Sequence, residues 1–104
     1  APNGVGQVKC AGNYAADIVP AARAKKAGFP VCLYLDAKEH RYVEEFSTSN
    51  FVAITKSGEY VTPDSQSVLD SVTNASLEKL AADMGLKVQR RKIDFDAGVD
   101  SFKE

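Results

Sequence analysis

Three glycines punctuate this chain and constrain its fold more than any other feature. Gly28 follows an Ala-rich stretch, Gly58 sits in the turn Ser57-Gly58-Glu59, and Gly85 follows a second stretch of helical spacing. Glycine enters left-handed backbone at little cost, so it ends helices and closes tight turns. Between these stops the residues alternate in type. A helix is expected from about Gly12 to Ala27, then strands over 31–35, 42–46 and 51–56, with Tyr60-Val61 returning after the hairpin turn. A second helix is expected over Asn74 to Met84, followed by a strand over Lys87 to Asp94. Helix, several strands, helix, strand predicts an α/β or α+β domain with a mixed sheet.

Each element carries further expectations. In the first helix Tyr14, Ile18 and Ala22 recur at helical spacing and should face inward, with Ala11 and Ala15 beside them. Pro20 lacks an N–H and clashes with the preceding turn, which predicts a kink or break near Val19. In the second helix Thr73 is the expected N-cap, and Leu77, Leu80, Ala81 and Met84 form the expected apolar stripe. Residues 1–8, 47–50 and 63–67 read as loops or polar connectors, and 95–104 as the start of another helix. No internal repeat or low-complexity tract occurs.

Composition removes several function classes. With 104 residues the prior is one domain, and a chain this short hides only about two-thirds of its unfolded surface. Thirteen basic and fourteen acidic residues leave a net charge of −1, which gives no attraction to nucleic acid. No apolar run approaches the roughly 20 residues of a membrane span, and the start resembles no signal peptide, so a cytoplasmic protein is expected. The first residue is not Met, which fits an internal piece of a longer chain or a processed one. Cys10 and Cys32 could form one bridge but read more readily as reduced cytosolic thiols, with Cys10 packed. His40, the sole histidine, stands in the charged turn around Lys38, Glu39 and Arg41, and no metal-ligand constellation exists.

The string Val8-Lys9-Cys10-Ala11-Gly12-Asn13-Tyr14-Ala15-Ala16 resembles the segment around the cofactor-binding lysine of the branched-chain amino acid aminotransferases. These are pyridoxal-phosphate enzymes of fold type IV. The resemblance continues in register through Leu33-Tyr34-Leu35-Asp36, Tyr42-Val43-Glu44-Glu45-Phe46-Ser47-Thr48-Ser49-Asn50, Thr62-Pro63 and Ser71-Val72-Thr73-Asn74, to about residue 93. It implies part of the large C-terminal domain of that fold, a mixed-sheet pseudo-barrel flanked by helices. Residues 1–104 would then be a partial, lysine-bearing C-terminal domain, with the N-terminal domain and the final C-terminal segment absent.

Pyridoxal phosphate asks a protein for an amine, an acid near its ring nitrogen, a partner for its phenolic oxygen and a phosphate cup. The resemblance implies Lys9 as the amine and catalytic residue. That role calls for partial burial and nearby cationic character, because only the unprotonated amine attacks. It implies Glu45 as the acid and Tyr14 as the partner of the phenolic oxygen. Glu44 and Glu45, as neighbours on a strand, must point to opposite faces. Val72 and Thr73 fall at the family's phosphate site, where helix-start N–H groups and a hydroxyl meet a dianion. Leu69 matches a residue that packs on the pyridine ring, and Thr48 a threonine near substrate.

This chain departs from many relatives in having Asp70-Ser71 where Pro-Gly is common, and Asn74 where an Arg often follows the threonine. Phe46-Ser47 likewise replaces small residues after the acid. The implied reaction of the full-length parent is amino transfer from leucine, isoleucine or valine to 2-oxoglutarate by a homodimer, the piece itself being inactive. D-amino acid aminotransferases and aminodeoxychorismate lyases share the fold type and are the nearest alternatives. A non-catalytic folded fragment or interaction module is the alternative from another class.

Overall fold

The computed structural model describes residues 4–102; the outer ends of the expected first loop and last helix, 1–3 and 103–104, lie outside them. A 3-10 helix, Ala11–Ala16, opens the chain and is followed by α1, Ile18–Lys26. The break falls at Asp17, not Val19. Pro20 thereby becomes the third residue of α1, within the first turn, where no intrahelical acceptor awaits an N–H. Arg23, Lys25 and Lys26 occupy the last turn, favourably placed against the negative end of the helix dipole. Gly28, at φ 91°, then turns the chain back in the left-handed region.

The strands divide into two three-stranded sheets, the second of them mixed as expected. β1 (Leu33–Leu35), β2 (Val43–Phe46) and β3 (Ser49–Asn50) form an antiparallel sheet in that order. The connector expected at 47–50 is therefore a tight turn whose second half already pairs, Glu45 opposite Asn50. Phe51 and Val52 then leave the ladder and carry the chain across to the second sheet. There β4 (Ala53–Ile54) pairs antiparallel with β5 (Glu59–Pro63), and β5 pairs parallel with β6 (Lys87–Arg91). Parallel neighbours need a crossover, and α2, Val72–Asp83, supplies it.

The core lies where the sheets meet. Val43, Val61 and Ile93 are fully buried, with Leu33, Leu35, Phe51 and Phe102 packed on them. Val43 N–H donates to Ile93 O at 2.8 Å, tying the end of the second sheet to the start of β2. Arg41 pairs with Asp94 beside this junction. The described residues close with α3, Phe95–Gly98, and a 3-10 turn, Val99–Ser101, so the helix expected from residue 95 begins but is short, and Phe102 pairs with Thr55.

Three expectations about the helices need correction. Ser71, not Thr73, is the N-cap of α2: it is extended and its hydroxyl accepts from Asn74 N–H at 3.1 Å. That residue stands three positions on, the geometry of a serine cap. The inner face of α2 is Asn74, Glu78 and Ala81, while Leu77, Leu80 and Met84 are exposed. Asn74 takes the inward place because both ends of its amide are used. Tyr60 Oη donates to its Oδ1 at 2.7 Å, and its Nδ2 donates to Thr62 Oγ1 at 3.1 Å. Ile18 and Ala22, expected inward, are exposed, Ile18 at 68%, and Ala21 and Ala24 are the partly buried residues of α1; Ala11, Tyr14 and Ala15 of the 3-10 helix are exposed as well.

Candidate active site

A cleft of about 690 Å³ opens between the segment around Lys9 and the first sheet. Lys9, Tyr14, Glu45, Thr48 and Leu69 all line it, so five of the seven residues singled out in the sequence share one space. Val72 and Thr73 do not line it. They follow Leu69 by three and four residues and form the first turn of α2, with Val72 86% exposed. The location follows from topology: β5 runs out at Pro63, and the loop of residues 64–70 that leads to α2 forms one wall. Open α/β sheets place ligand sites at this end of a strand.

Each wall is fixed by identifiable contacts. The Lys9 segment is held by Asn13, whose Nδ2 donates to Val5 O and Val8 O, both at 2.9 Å. Gly6 lies against the backbone of Ser67, where an added Cβ would come within 2.6 Å of Ser67 O. Only glycine permits that approach, and it docks the Lys9 loop on the 64–70 loop. Lys9 itself is exposed, so the described residues do not provide the burial expected for it.

Glu45 is half-buried on β2 and accepts from Leu69 N–H at 3.4 Å. Burial pushes its carboxyl up from the ordinary carboxylate range, the Leu69 amide opposes this, and the Glu44 charge adds to it. Opposite Glu45, Asn50 donates from Nδ2 to Leu69 O at 2.8 Å, so both polar edges of Leu69 are anchored to one strand pair. Glu44 points the other way. It lines a second, smaller cleft with Asp36, Lys38 and Lys92 and accepts from Ser65 Oγ at 2.7 Å. The opposite facing of the two glutamates expected from strand geometry is what the sheet displays.

Tyr34 and Asp17 also line the cleft, though neither was given a role from the sequence. Tyr34, on β1, donates its hydroxyl to Asp17 at the junction of the 3-10 helix and α1. Burial, then the hydrogen bond and the charge of Asp17, push the Tyr34 phenol well above its ordinary value, so it is a neutral donor at all physiological pH. Its position on a short apolar strand was the available signal; the partner, 17 residues earlier, was not visible without the fold. Asn50 and Asn13 were read only as parts of motifs. Cys10 and Cys32 are free thiols of intermediate burial, and Asp70 is exposed. Among the described residues no cluster of His, Cys, Asp or Glu could hold a metal, and no helix is long and apolar enough to cross a membrane.

The Amino-transferase class IV family model matches residues 3–97, nearly the whole chain, and the chain belongs to that family. It is 43% identical over 105 residues to a branched-chain-amino-acid aminotransferase of Helicobacter pylori (strain J99), a match spanning all of this chain and 31% of that protein. Among solved structures, a T.th. branched-chain amino acid aminotransferase complexed with N-(5'-phosphopyridoxyl)-L-glutamate superposes with a TM-score of 0.79. That match is 29% identical and covers 92% of this chain and 31% of the other. The Escherichia coli branched-chain amino acid aminotransferase gives a TM-score of 0.81 at 25% identity, covering 93% of this chain and 32% of its own. The fold is thus that of fold type IV aminotransferases. The chain spans about a third of the length of these relatives.

Proposed function

We propose that the protein carrying this chain transfers the amino group of leucine, isoleucine or valine to 2-oxoglutarate, with pyridoxal 5'-phosphate held in the Lys9 cleft. The observation that carries this reading is the convergence of Lys9, Tyr14, Glu45 and Leu69 on one cleft. The similarity to branched-chain aminotransferases, one of them bearing a phosphopyridoxyl group, supports it. The residues fit the cofactor's needs: an amine, a phenol, a half-buried carboxylate and an apolar side chain lie around one space. The cofactor supplies an aldehyde that takes up amines and a ring that withdraws electrons from the substrate Cα.

The chain's own residues then divide the work. The Lys9 amine would hold the cofactor and, when free, would take and return the substrate Cα proton. Glu45 keeps the ring nitrogen protonated. Burial raises its proton affinity, and a cationic ring nitrogen beside it would favour the ionised carboxylate. Tyr14 would hold the phenolic oxygen and Leu69 would offer the ring an apolar contact. Val72 and Thr73 offer N–H groups to the phosphate; being first in α2, they have no intrahelical acceptors. Thr48, exposed at the cleft rim, faces substrate.

In this reading residues 1–104 are the lysine-bearing part of a C-terminal domain, the working protein is a homodimer, and it resides in the cytoplasm. Exposed apolar side chains on α1 and α2 are compatible with cover from further polypeptide. The test compares Lys9→Ala with Lys87→Ala in a polypeptide of the relatives' full length. Loss of transamination from leucine in the first and near-normal turnover in the second is expected, since Lys87 is an exposed strand residue paired with Glu59. Near-normal turnover of Lys9→Ala without added amine would refute the assignment.

A further inference from the structure

Glu44 faces away from the Lys9 cleft, yet a chain of contacts leads from it to the Lys9 loop. Ser65 Oγ donates to Glu44 Oε1 at 2.7 Å and accepts from Ser67 N–H at 3.1 Å. A serine hydroxyl can do both at once, and the carboxylate fixes which way its proton points. The Ser67 backbone is thereby held in place, and Gly6 lies against that backbone too closely for any Cβ. Among the described residues Ser67 is the one that lines both clefts. On the near side, Glu45 takes the Leu69 N–H from the same loop. Adjacent glutamates on opposite faces of β2 thus straddle the 64–70 loop and anchor it at two points two residues either side of Ser67.

We infer that Glu44 is a positioning residue for Lys9, acting through Ser65 and Ser67 on the Gly6–Cys10 segment. It touches neither the cleft nor Lys9; it sets the wall on which the Lys9 loop rests. Its consequence for transamination rests on the function proposed above, but the relay itself is a property of the fold. A carboxamide can accept from Ser65 as the carboxylate does, so Glu44→Gln keeps the relay and Glu44→Ala removes it.

Amide hydrogen exchange on the 104-residue chain, without cofactor, reads this directly. Three amides report: Ser67 N–H, Val8 N–H bonded to Val5 O, and Cys10 N–H bonded to Val8 O. Glu44→Ala should speed all three by about tenfold, the loss of roughly one hydrogen bond, while amides of the β5–β6 ladder hold their rates. Glu44→Gln should match the unsubstituted chain. Ser65→Ala should reproduce Glu44→Ala, and the double variant should add nothing further. Unchanged rates in Glu44→Ala, equal effects of Ala and Gln, a uniform rise that includes the ladder, or a rise at Ser67 alone would each overturn the relay. Cofactor attachment to Lys9 is a separate readout: its failure would count against the transaminase reading and leave the amide rates to judge the relay.

Discussion

Glu44 and Glu45 share a strand and a charge, and differ in the face they take. Because Glu45 lines the Lys9 cleft, Glu45→Gln in the full-length protein should lower turnover by several powers of ten, each worth about 1.4 kcal/mol of barrier. Glu44→Gln should be close to neutral, and steady-state rates on leucine check both. Equal losses would contradict the strand register. Titration separates other carboxyls. Burial raises Glu45 above its unfolded value, so its contribution to stability is present below the ordinary carboxylate range and is lost as pH rises through the raised value. Asp36 behaves oppositely: the N–H groups of Tyr42 and Arg41, then that of Glu39, hold its carboxyl far below the usual range. Its contribution is present above the ordinary range and is lost as pH falls. Asp36→Ala should therefore lower the denaturant midpoint at neutral pH and flatten its fall in acid, as urea curves taken from neutral pH downward would record.

At the scale of elements, α2 offers the sharpest comparison. Ser71→Ala removes the hydroxyl that accepts from Asn74 N–H and should cost about 1 kcal/mol, whereas Thr73→Ala should cost a few tenths. Urea midpoints of the two variants decide between the caps; a larger loss at Thr73 would restore the sequence-based expectation. Why that expectation missed is instructive. Ser71 and Thr73 are both cap formers by type, serine somewhat the better, and choosing between them needs the register set by Asn74 against Tyr60 and Thr62. The glycine stops and the apolar runs were legible because they act locally: Gly28, Gly58 and Gly85 all sit at positive φ where turns were expected. The division into two sheets was not, since it depends on where Phe51 and Ile93 find each other's neighbours in the core. The same holds for the site. Motifs pointed to Lys9, Tyr14, Glu45 and Leu69, but the Tyr34–Asp17 contact and the Asn50–Leu69 anchor join segments far apart in sequence.

For the molecule as a whole, the side chains of Ile18 and Val19 on α1, Leu77 and Leu80 on α2, and Met84 at the end of α2 are exposed. The 104-residue chain alone should self-associate as its concentration rises, and sedimentation velocity would show this as a concentration-dependent increase in mean mass. It should also hold pyridoxal phosphate weakly and show no measurable transamination. Lys9 is open to water, and Val72 and Thr73, the residues read as the phosphate site, do not line its cleft. Absorbance titration followed by a leucine and 2-oxoglutarate assay checks both. The central claim is that Lys9 is the lysine that takes the cofactor, and one measurement reaches it most directly. The full-length protein is loaded with pyridoxal phosphate, reduced with borohydride, digested, and mapped by mass spectrometry. The added phosphopyridoxyl mass should sit on the peptide containing Lys9. Its appearance on Lys38, Lys87 or Lys92 instead, with Lys9 unmodified, would contradict the account.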